Sequence, residues 1–143
     1  MDAGGGERAV SAAAATDAHA LIWYAMGPGR RLGRTARNHF ARAERGQGIV
    51  YVPMVVLVEI AEAMRRGAIR HNGSFSRWAR ALLASGRFVA AGLTAEIVLE
   101  AEALYGIAER GDRLIAATAV AVQCPLITTH PAFARIPPLT TVW

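Results

Sequence analysis

Three acidic residues, Asp17, Glu59 and Asp112, interrupt segments of the chain that are otherwise apolar. They occur in the stretches AAAATDAHALIW, VVLVEIAEA and GDRLIAATA. Burying an ionised carboxylate is costly unless it is paired with a cation or coordinates a metal. The chain contains no lysine, and the nearest arginines are not obviously placed to pair with these groups. Three sets of carboxylate oxygens suit Mg²⁺ or Mn²⁺, an ion that activates water for attack on a phosphodiester.

The segments that carry these residues fit an alternation of strands and helices. The β-branched and aromatic run GIVYVP, bounded by Gly and Pro, indicates a buried strand at 48–53. Strands separated by helices require crossover connections, which predicts an α/β fold with a mainly parallel sheet covered on both faces. By the same criteria we predict strands at 9–16, 87–93 and 125–128, an edge strand within 137–143, and helices at 17–26, 34–45, 54–66, 74–85, 95–110 and 112–123.

The predicted sheet gives the three acidic residues a common location. Asp17 directly follows the first strand, Glu59 lies in the second turn of the helix after strand 48–53, and Asp112 begins the helix that leads into the last core strand. Ligands of such sheets gather beyond the carboxyl ends of the strands. We therefore expect the carboxylates to meet at one sheet edge, where mutual repulsion raises their pKa values and a divalent cation relieves the repulsion.

Each carboxylate also has a plainer explanation. Asp17 and Asp112 could each be the N-cap of the helix that follows, because aspartate accepts hydrogen bonds from the first backbone N–H groups of a helix. Glu59 is harder to explain in this way, since helical spacing places it among apolar side chains. Glu62 is its nearest rival as a ligand, and we expect it to face water.

Length and composition limit the classes of protein to which the chain can belong. Its 143 residues, of which 53% are hydrophobic, suffice for one core and exclude wholesale disorder. We expect a single domain at 9–143 after a disordered polar lead at 1–8. No apolar run approaches the roughly 20 residues that span a bilayer, and we see no secretory signal. The one cysteine, Cys124, fits a cytoplasmic location and is expected to be a small buried hydrophobe.

The basic residues are unevenly distributed along the chain. All sixteen are arginines, the formal net charge is +5, and six of the sixteen fall between Arg30 and Arg45, with only Glu44 against them. This stretch could be a solvated helix face, a surface for nucleic-acid phosphate, or a surface for an acidic protein partner.

Three segments of the chain resemble the PIN-domain family, and in particular the VapC-type toxins of bacterial toxin–antitoxin pairs. TDAHALIWYAMGPGRRLG resembles the family's opening, in which an aspartate ends the first strand. YVPMVVLVEIAEAMRRGAI resembles the second motif, a helical glutamate just before an Arg/Lys-Gly turn. GDRLIAATAVAVQCPLITTHPAF resembles the third motif, a helix that runs into a Pro-Leu-Ile-Thr strand. The segments occur in order and extend from about Val10 to Phe133.

The resemblance implies a three-layer α/β/α sandwich and a Mg²⁺- or Mn²⁺-dependent endoribonuclease in which Asp17, Glu59 and Asp112 match the acidic ligands. It also implies an RNA substrate such as tRNA or another structured RNA, a cognate antitoxin and a homodimer, while the lack of a long apolar run leads us to expect no membrane partner. The RNA would need to be locally single-stranded or looped, because side chains read A-form duplex poorly. The candidates for contact with its backbone are Arg30, Arg31, Arg34 and Arg37.

The chain departs from the family's pattern in an alanine-rich first strand, in the segment VVLV before Glu59, where the family often carries serine and tryptophan, and at one position that bears on the metal site. The family commonly has a further aspartate two residues past the threonine of the last strand, where this chain has His130 after Thr128. A neutral imidazole can ligate Mn²⁺ but suits Mg²⁺ poorly. His130 is therefore either an additional metal ligand beside one well-held cation or a residue that packs or faces solvent. This departure motivates an alternative function, a catalytically weakened PIN-like domain that binds RNA or an antitoxin.

Overall fold

The computed structural model describes residues 13–143, and within that range five strands form one parallel sheet. Every pair of neighbouring strands is parallel, so the prediction of a mainly parallel sheet is confirmed. The edge strand expected within 137–143 is present as the last of the five. In chain order the strands are β1 (Ala13–Thr16), β2 (Ile49–Pro53), β3 (Phe88–Ala91), β4 (Leu126–Ile127) and β5 (Thr141–Val142), and their order across the sheet is β3-β2-β1-β4-β5.

Helices occupy the connections between the first four strands. The chain steps in one direction from β1 to β3 and then returns past both strands to β4. Because such crossovers are right-handed, the outward and returning connections lie on opposite faces of the sheet, which confirms the three-layer sandwich. No helix within residues 13–143 is long and apolar enough to cross a membrane. The helices are α1 (Ala18–Met26), α2 (Arg34–Glu44), α3 (Met54–Arg65), α4 (Phe75–Ala84), α5 (Ala95–Glu102) and α6 (Arg110–Ala121).

The alanine-rich strand β1 occupies the middle of the sheet, between β2 and β4. Alanine is a poor strand former, and the side chains of Ala14 and Ala15 are fully buried. Helices cover both faces at this strand, so packing position rather than local propensity makes the segment a strand. The predicted strand began at residue 9; its residues 9–12, like the predicted lead at 1–8, lie outside the described part of the chain.

Two local predictions are wrong. The helix predicted at 95–110 ends at Glu102, where backbone N–H groups bond to the carbonyl three residues earlier and the chain turns. This turn directs Ile107 into the core, with 1% of its surface exposed, while Tyr105 points to solvent with 91% exposed. The helix therefore ends early because burying Ile107 stabilises the fold more than further helical turns would. Cys124, which we expected to be buried, is only half-buried.

An aromatic stack ties α1, α2 and β3 together inside the core. The ring of Phe40 lies parallel to that of Tyr24, with 4.4 Å between their centroids, and 6.3 Å from that of Phe88. Phe40 is 1% exposed. The stack therefore joins two helices and a strand that are far apart in the sequence.

Replacing Phe40 with alanine should lower the free energy of unfolding by about 3–5 kcal/mol, because it removes a fully buried ring and leaves a cavity between its neighbours. The measurement is urea unfolding followed by circular dichroism. The matched control is Tyr105→Ala, which removes an exposed ring and should change the stability by less than about 0.5 kcal/mol. Equal losses from both variants would show that the stack does not stabilise the fold.

Candidate functional site

Asp17 is held at the carboxyl ends of β1 and β4. It is the N-cap of α1, where its Oδ1 accepts a hydrogen bond of 2.9 Å from the backbone N–H of Ala20. The hydroxyl of Thr128, which follows β4, donates to its other oxygen, Oδ2. Asp17 is only 6% exposed. Burial raises the pKa of its carboxyl group, and the two hydrogen bonds act in the opposite direction. The predicted capping role is confirmed, and the same carboxylate faces the candidate site.

Glu59 extends from α3 toward the beginning of α6. Its carboxylate lies so close to Gly111 that a β-carbon at position 111 would overlap with it. Burial is the main cause that raises the pKa of Glu59, followed by repulsion from Asp112, Asp17 and Glu109. Gly111 therefore belongs to the site through its missing side chain. No pattern in the sequence distinguishes Gly111, because a glycine near the start of a helix carries no distinctive signal.

Asp112 lies inside the first turn of α6. The helix begins at Arg110, with Glu109 in the capping position, so the alternative that Asp112 is the N-cap is wrong. Burial is the main cause that raises the pKa of Asp112; His130 lowers it and Glu109 raises it further. Within residues 13–143 no backbone N–H group is hydrogen-bonded to the Asp112 side chain, so this carboxylate is not held by its own helix.

Asp17, Glu59 and Asp112 line one cleft of about 510 Å³ at the carboxyl edge of the sheet. Glu62 and Glu109 also line this cleft, which we call the acidic cleft. Among residues 13–143 the ion pairs are Arg113 with Glu102 and His130 with Asp112, so no arginine there neutralises any of the three carboxylates. The structure thus brings together the residues that were selected by their positions after the strands, and pairs none of them with an arginine of the described part of the chain.

The donor set of the acidic cleft fits a hard divalent cation in the type of its ligands. Carboxylate oxygens are the ligands preferred by Mg²⁺ and Mn²⁺, and the raised pKa values reflect the repulsion and burial that such an ion would relieve. The side chains face a shared space without closing on one point: within residues 13–143 no three His, Cys, Asp or Glu side chains stand close enough to enclose an ion. Ion binding would therefore require Glu59 and Asp112 to turn toward Asp17.

His130 stands at the rim of the acidic cleft, and its hydrogen bonds define the state of its ring. Its Nδ1 accepts the backbone N–H of Ala132 at 3.0 Å, so in the neutral ring the proton is on Nε2. That nitrogen is 3.9 Å from Oδ2 of Asp112. Metal ligation through Nε2 would require the ring to release the Ala132 bond or to lose its proton. The geometry favours His130 as a neighbour of Asp112 over direct ligation.

The arginines predicted to contact RNA do not line the acidic cleft. Arg30 and Arg37 line a separate pocket beside Glu44, and the guanidinium of Arg31 lies over the ring of Trp23, 5.5 Å from its centroid. Arg34 is exposed at the start of α2. The arginine that does line the acidic cleft is Arg66, just past the end of α3. The only sequence signal for it was the Arg-Arg-Gly turn that closes the second motif.

The fold and the cleft define an α/β sandwich protein with a carboxylate-lined site beyond its parallel strands. The PIN domain family model matches residues 14–138, and the chain belongs to that family. PIN domains are generally metal-dependent nucleases. No curated protein matches the chain in sequence.

Solved structures share this fold at low sequence identity. A chain of VapBC2 from Rickettsia felis, crystallised with a DNA fragment from its promoter, has a TM-score of 0.66 and 16% identity, over 92% of this chain and 98% of that chain. A chain of a toxin–antitoxin complex from Klebsiella pneumoniae has a TM-score of 0.61 and 21% identity, over 90% of this chain and 96% of that chain. At these identities the likeness establishes the fold.

Replacing Glu59 with glutamine should stabilise the metal-free protein at neutral pH. The folded state raises the pKa of Glu59 above its ordinary value of 4.5, so wild-type stability falls as the pH rises through the raised pKa. The glutamine variant does not lose stability in this way. The difference in free energy of unfolding between the variant and the wild type should therefore disappear below about pH 4.5, where both side chains are neutral. Urea unfolding in EDTA at a series of pH values measures the difference.

The control for this pH dependence is Glu100→Gln, a substitution of an exposed carboxylate on α5 that does not line the acidic cleft. It should leave the pH dependence of stability unchanged. A Glu59→Gln effect of the same size in acid and at neutral pH would contradict an electrostatic origin.

Proposed function

We propose that the protein is a Mg²⁺- or Mn²⁺-dependent endoribonuclease and the toxin of a VapC-type toxin–antitoxin pair. The observation that carries the proposal is the gathering of Asp17, Glu59 and Asp112 in one cleft with no arginine to neutralise them. Membership of the PIN domain family supports nuclease chemistry. The likeness to chains of two toxin–antitoxin assemblies supports an antitoxin as partner.

The three carboxylates are the proposed ligands of the cation. When bound, a divalent cation activates water and neutralises the charge that develops on a phosphate. Thr128 and the Ala20 N–H group hold the Asp17 carboxylate in a fixed orientation from two sides. Gly111 leaves the space into which Glu59 reaches, and the first turn of α6 presents Asp112 beside it. The chain thus offers one preoriented ligand and two adjustable ligands.

The remaining parts of the proposal rest on the resemblance of the sequence motifs. These parts are an RNA substrate, tRNA or another structured RNA, and a homodimer; the proposed cytoplasmic location rests instead on the single cysteine. Contact with the RNA backbone through the exposed arginines around α2 stays a prediction, supported by their exposure and positive charge. These arginines are Arg30, Arg31, Arg34 and Arg37.

A second candidate function follows from His130. The His130 ring accepts a hydrogen bond from the Ala132 N–H group, and its Nε2 lies 3.9 Å from Oδ2 of Asp112. An imidazole at this position adds no negative charge to the acidic cleft. A site with one carboxylate fewer holds a cation less firmly. The alternative is therefore a PIN-like domain that binds RNA or an antitoxin and has lost efficient catalysis.

Each of the variants Asp17→Asn, Glu59→Gln and Asp112→Asn should reduce Mn²⁺-dependent RNA cleavage by more than about 100-fold. Loss of residues that merely support a metal ligand already costs about 10–100-fold, and these substitutions remove the ligands themselves. The measurement is cleavage of end-labelled RNA with Mn²⁺ and with EDTA. The control, Glu100→Gln on α5, lies outside the acidic cleft and should retain most of the activity. Equal background cleavage by the wild type and Asp17→Asn would favour the binding-only alternative.

The variant His130→Asp should raise Mg²⁺-supported cleavage more than Mn²⁺-supported cleavage. The added carboxylate supplies the hard oxygen ligand and the negative charge that imidazole lacks, and Mn²⁺ tolerates imidazole better than Mg²⁺ does. The ratio of initial rates in the two metals is the measured quantity. His130→Asn removes the ring without adding charge and should not reproduce the gain. An unchanged ratio would show that no carboxylate is missing at this position.

A further inference from the structure

A second groove continues from the acidic cleft along α1. It has a volume of about 470 Å³, and its lining shares His19, Ile22, Ala63 and Arg66 with that of the acidic cleft. The shared residues make the two spaces neighbours along one surface. We call this second space the basic groove, after the two arginines that line it.

The charge of the basic groove is opposite to that of the acidic cleft. Arg66 and Arg70 line the groove and are exposed, and within residues 13–143 neither forms an ion pair with a carboxylate. Arg66 also lines the acidic cleft, so it stands where the two spaces join. A polyanion that approaches the carboxylates is repelled by them, and guanidinium groups at this junction offset the repulsion.

The basic groove also contains an aromatic surface. The rings of His19 and Trp23 are 5.8 Å apart between centroids, and both line the groove. Trp143 contacts the indole of Trp23 edge-on at 5.7 Å, and the guanidinium of Arg31 lies 5.5 Å from its centroid. The indole is therefore held by its neighbours while part of it faces the groove, and such a ring can stack against a nucleobase.

The pocket that contains Arg30 and Arg37 lacks this combination. Glu44 lines that pocket, and the hydroxyl of Tyr24 donates a hydrogen bond to the Glu44 carboxylate. This pocket also shares no lining residue with the acidic cleft. A phosphate bound there would have no direct route to the carboxylates, whereas one bound at Arg66 would already be beside them.

We propose that the basic groove binds the single-stranded nucleotides that flank the scissile phosphate, with a base against His19 and Trp23 and phosphates at Arg66 and Arg70. This inference rests on the proposed function, because it assumes an RNA substrate. Stacking on these rings requires an unpaired base, so a perfect duplex is excluded from the groove. The substrate class is therefore single-stranded or looped RNA, selected by the groove rather than by the carboxylates.

The test measures RNA binding separately from cleavage. A fluorescein-labelled single-stranded RNA is titrated with the full chain in EDTA, and affinity is read by anisotropy at several salt concentrations. Trp23→Ala should weaken binding about tenfold, and Trp23→Phe should restore much of the loss because it keeps a stacking ring. Arg66→Ala with Arg70→Ala should make the salt dependence shallower, by about 0.7 in log–log slope per arginine.

The matched control is Arg80→Ala, which removes an exposed arginine on α4 that lines neither space. Binding by this variant should equal that of the wild type. The arginine variants alter surface side chains and keep the test valid if Trp23→Ala proves poorly folded. The proposal would be overturned if the double variant of Arg66 and Arg70 bound RNA with the affinity and salt dependence of the wild type. It would also be overturned if the wild type bound a duplex of the same sequence as tightly as the single strand.

The outcome is distinguishable from that of the nuclease assay. If groove variants bind RNA normally while Asp17→Asn abolishes cleavage, the groove assignment is wrong and the nuclease stands. If groove variants lose RNA binding while the wild type shows no metal-dependent cleavage, the groove assignment stands and the protein is an RNA-binding module.

Discussion

The burial of three carboxylates in one cleft is the main constraint on this structure. Asp17, Glu59 and Asp112 share one cleft, burial raises the pKa of each, and within residues 13–143 no arginine compensates them. Favourable interactions elsewhere in the fold offset the unfavourable free energy of burying these carboxylates. Thr128 and the Ala20 N–H group stabilise the charge of the most buried member, Asp17, while Glu59 and Asp112 remain adjustable. Under the proposed function, a divalent cation bound by the three carboxylates would offset their negative charge.

The parallel topology explains why such distant residues can meet. The chain passes from β1 to β3 and returns through α5 and α6 to β4 beside β1, so both middle strands end at the same edge. The return places the beginning of α6 against α3, where Gly111 admits the Glu59 carboxylate. The alanines of β1 allow helices to cover this strand on both faces.

The distribution of arginine complements that of the carboxylates. Among residues 13–143, arginine stays out of the acidic cleft except at its junction with the basic groove, where Arg66 stands. Had an arginine paired with Asp17 or Glu59, it would have satisfied the carboxylate and left no reason for a cation to bind. Negative charge for the ion and positive charge for the polyanion are thus held side by side, which suits the proposed cleavage of RNA.

The sequence by itself determined the alternation of strands and helices, the parallel sheet and the three acidic positions, because strand and helix periodicity and strand-end placement are local signals. It also showed the family through motifs that contain those positions. Only the tertiary structure decided that α5 stops at Glu102 to bury Ile107, and that α6 begins early enough to put Asp112 inside its first turn. Likewise, only three-dimensional packing reveals that Gly111 makes room for Glu59 and that Arg66 and Trp23 face one groove. Those features depend on contacts between residues far apart in the chain, and no local pattern of residue types encodes such contacts.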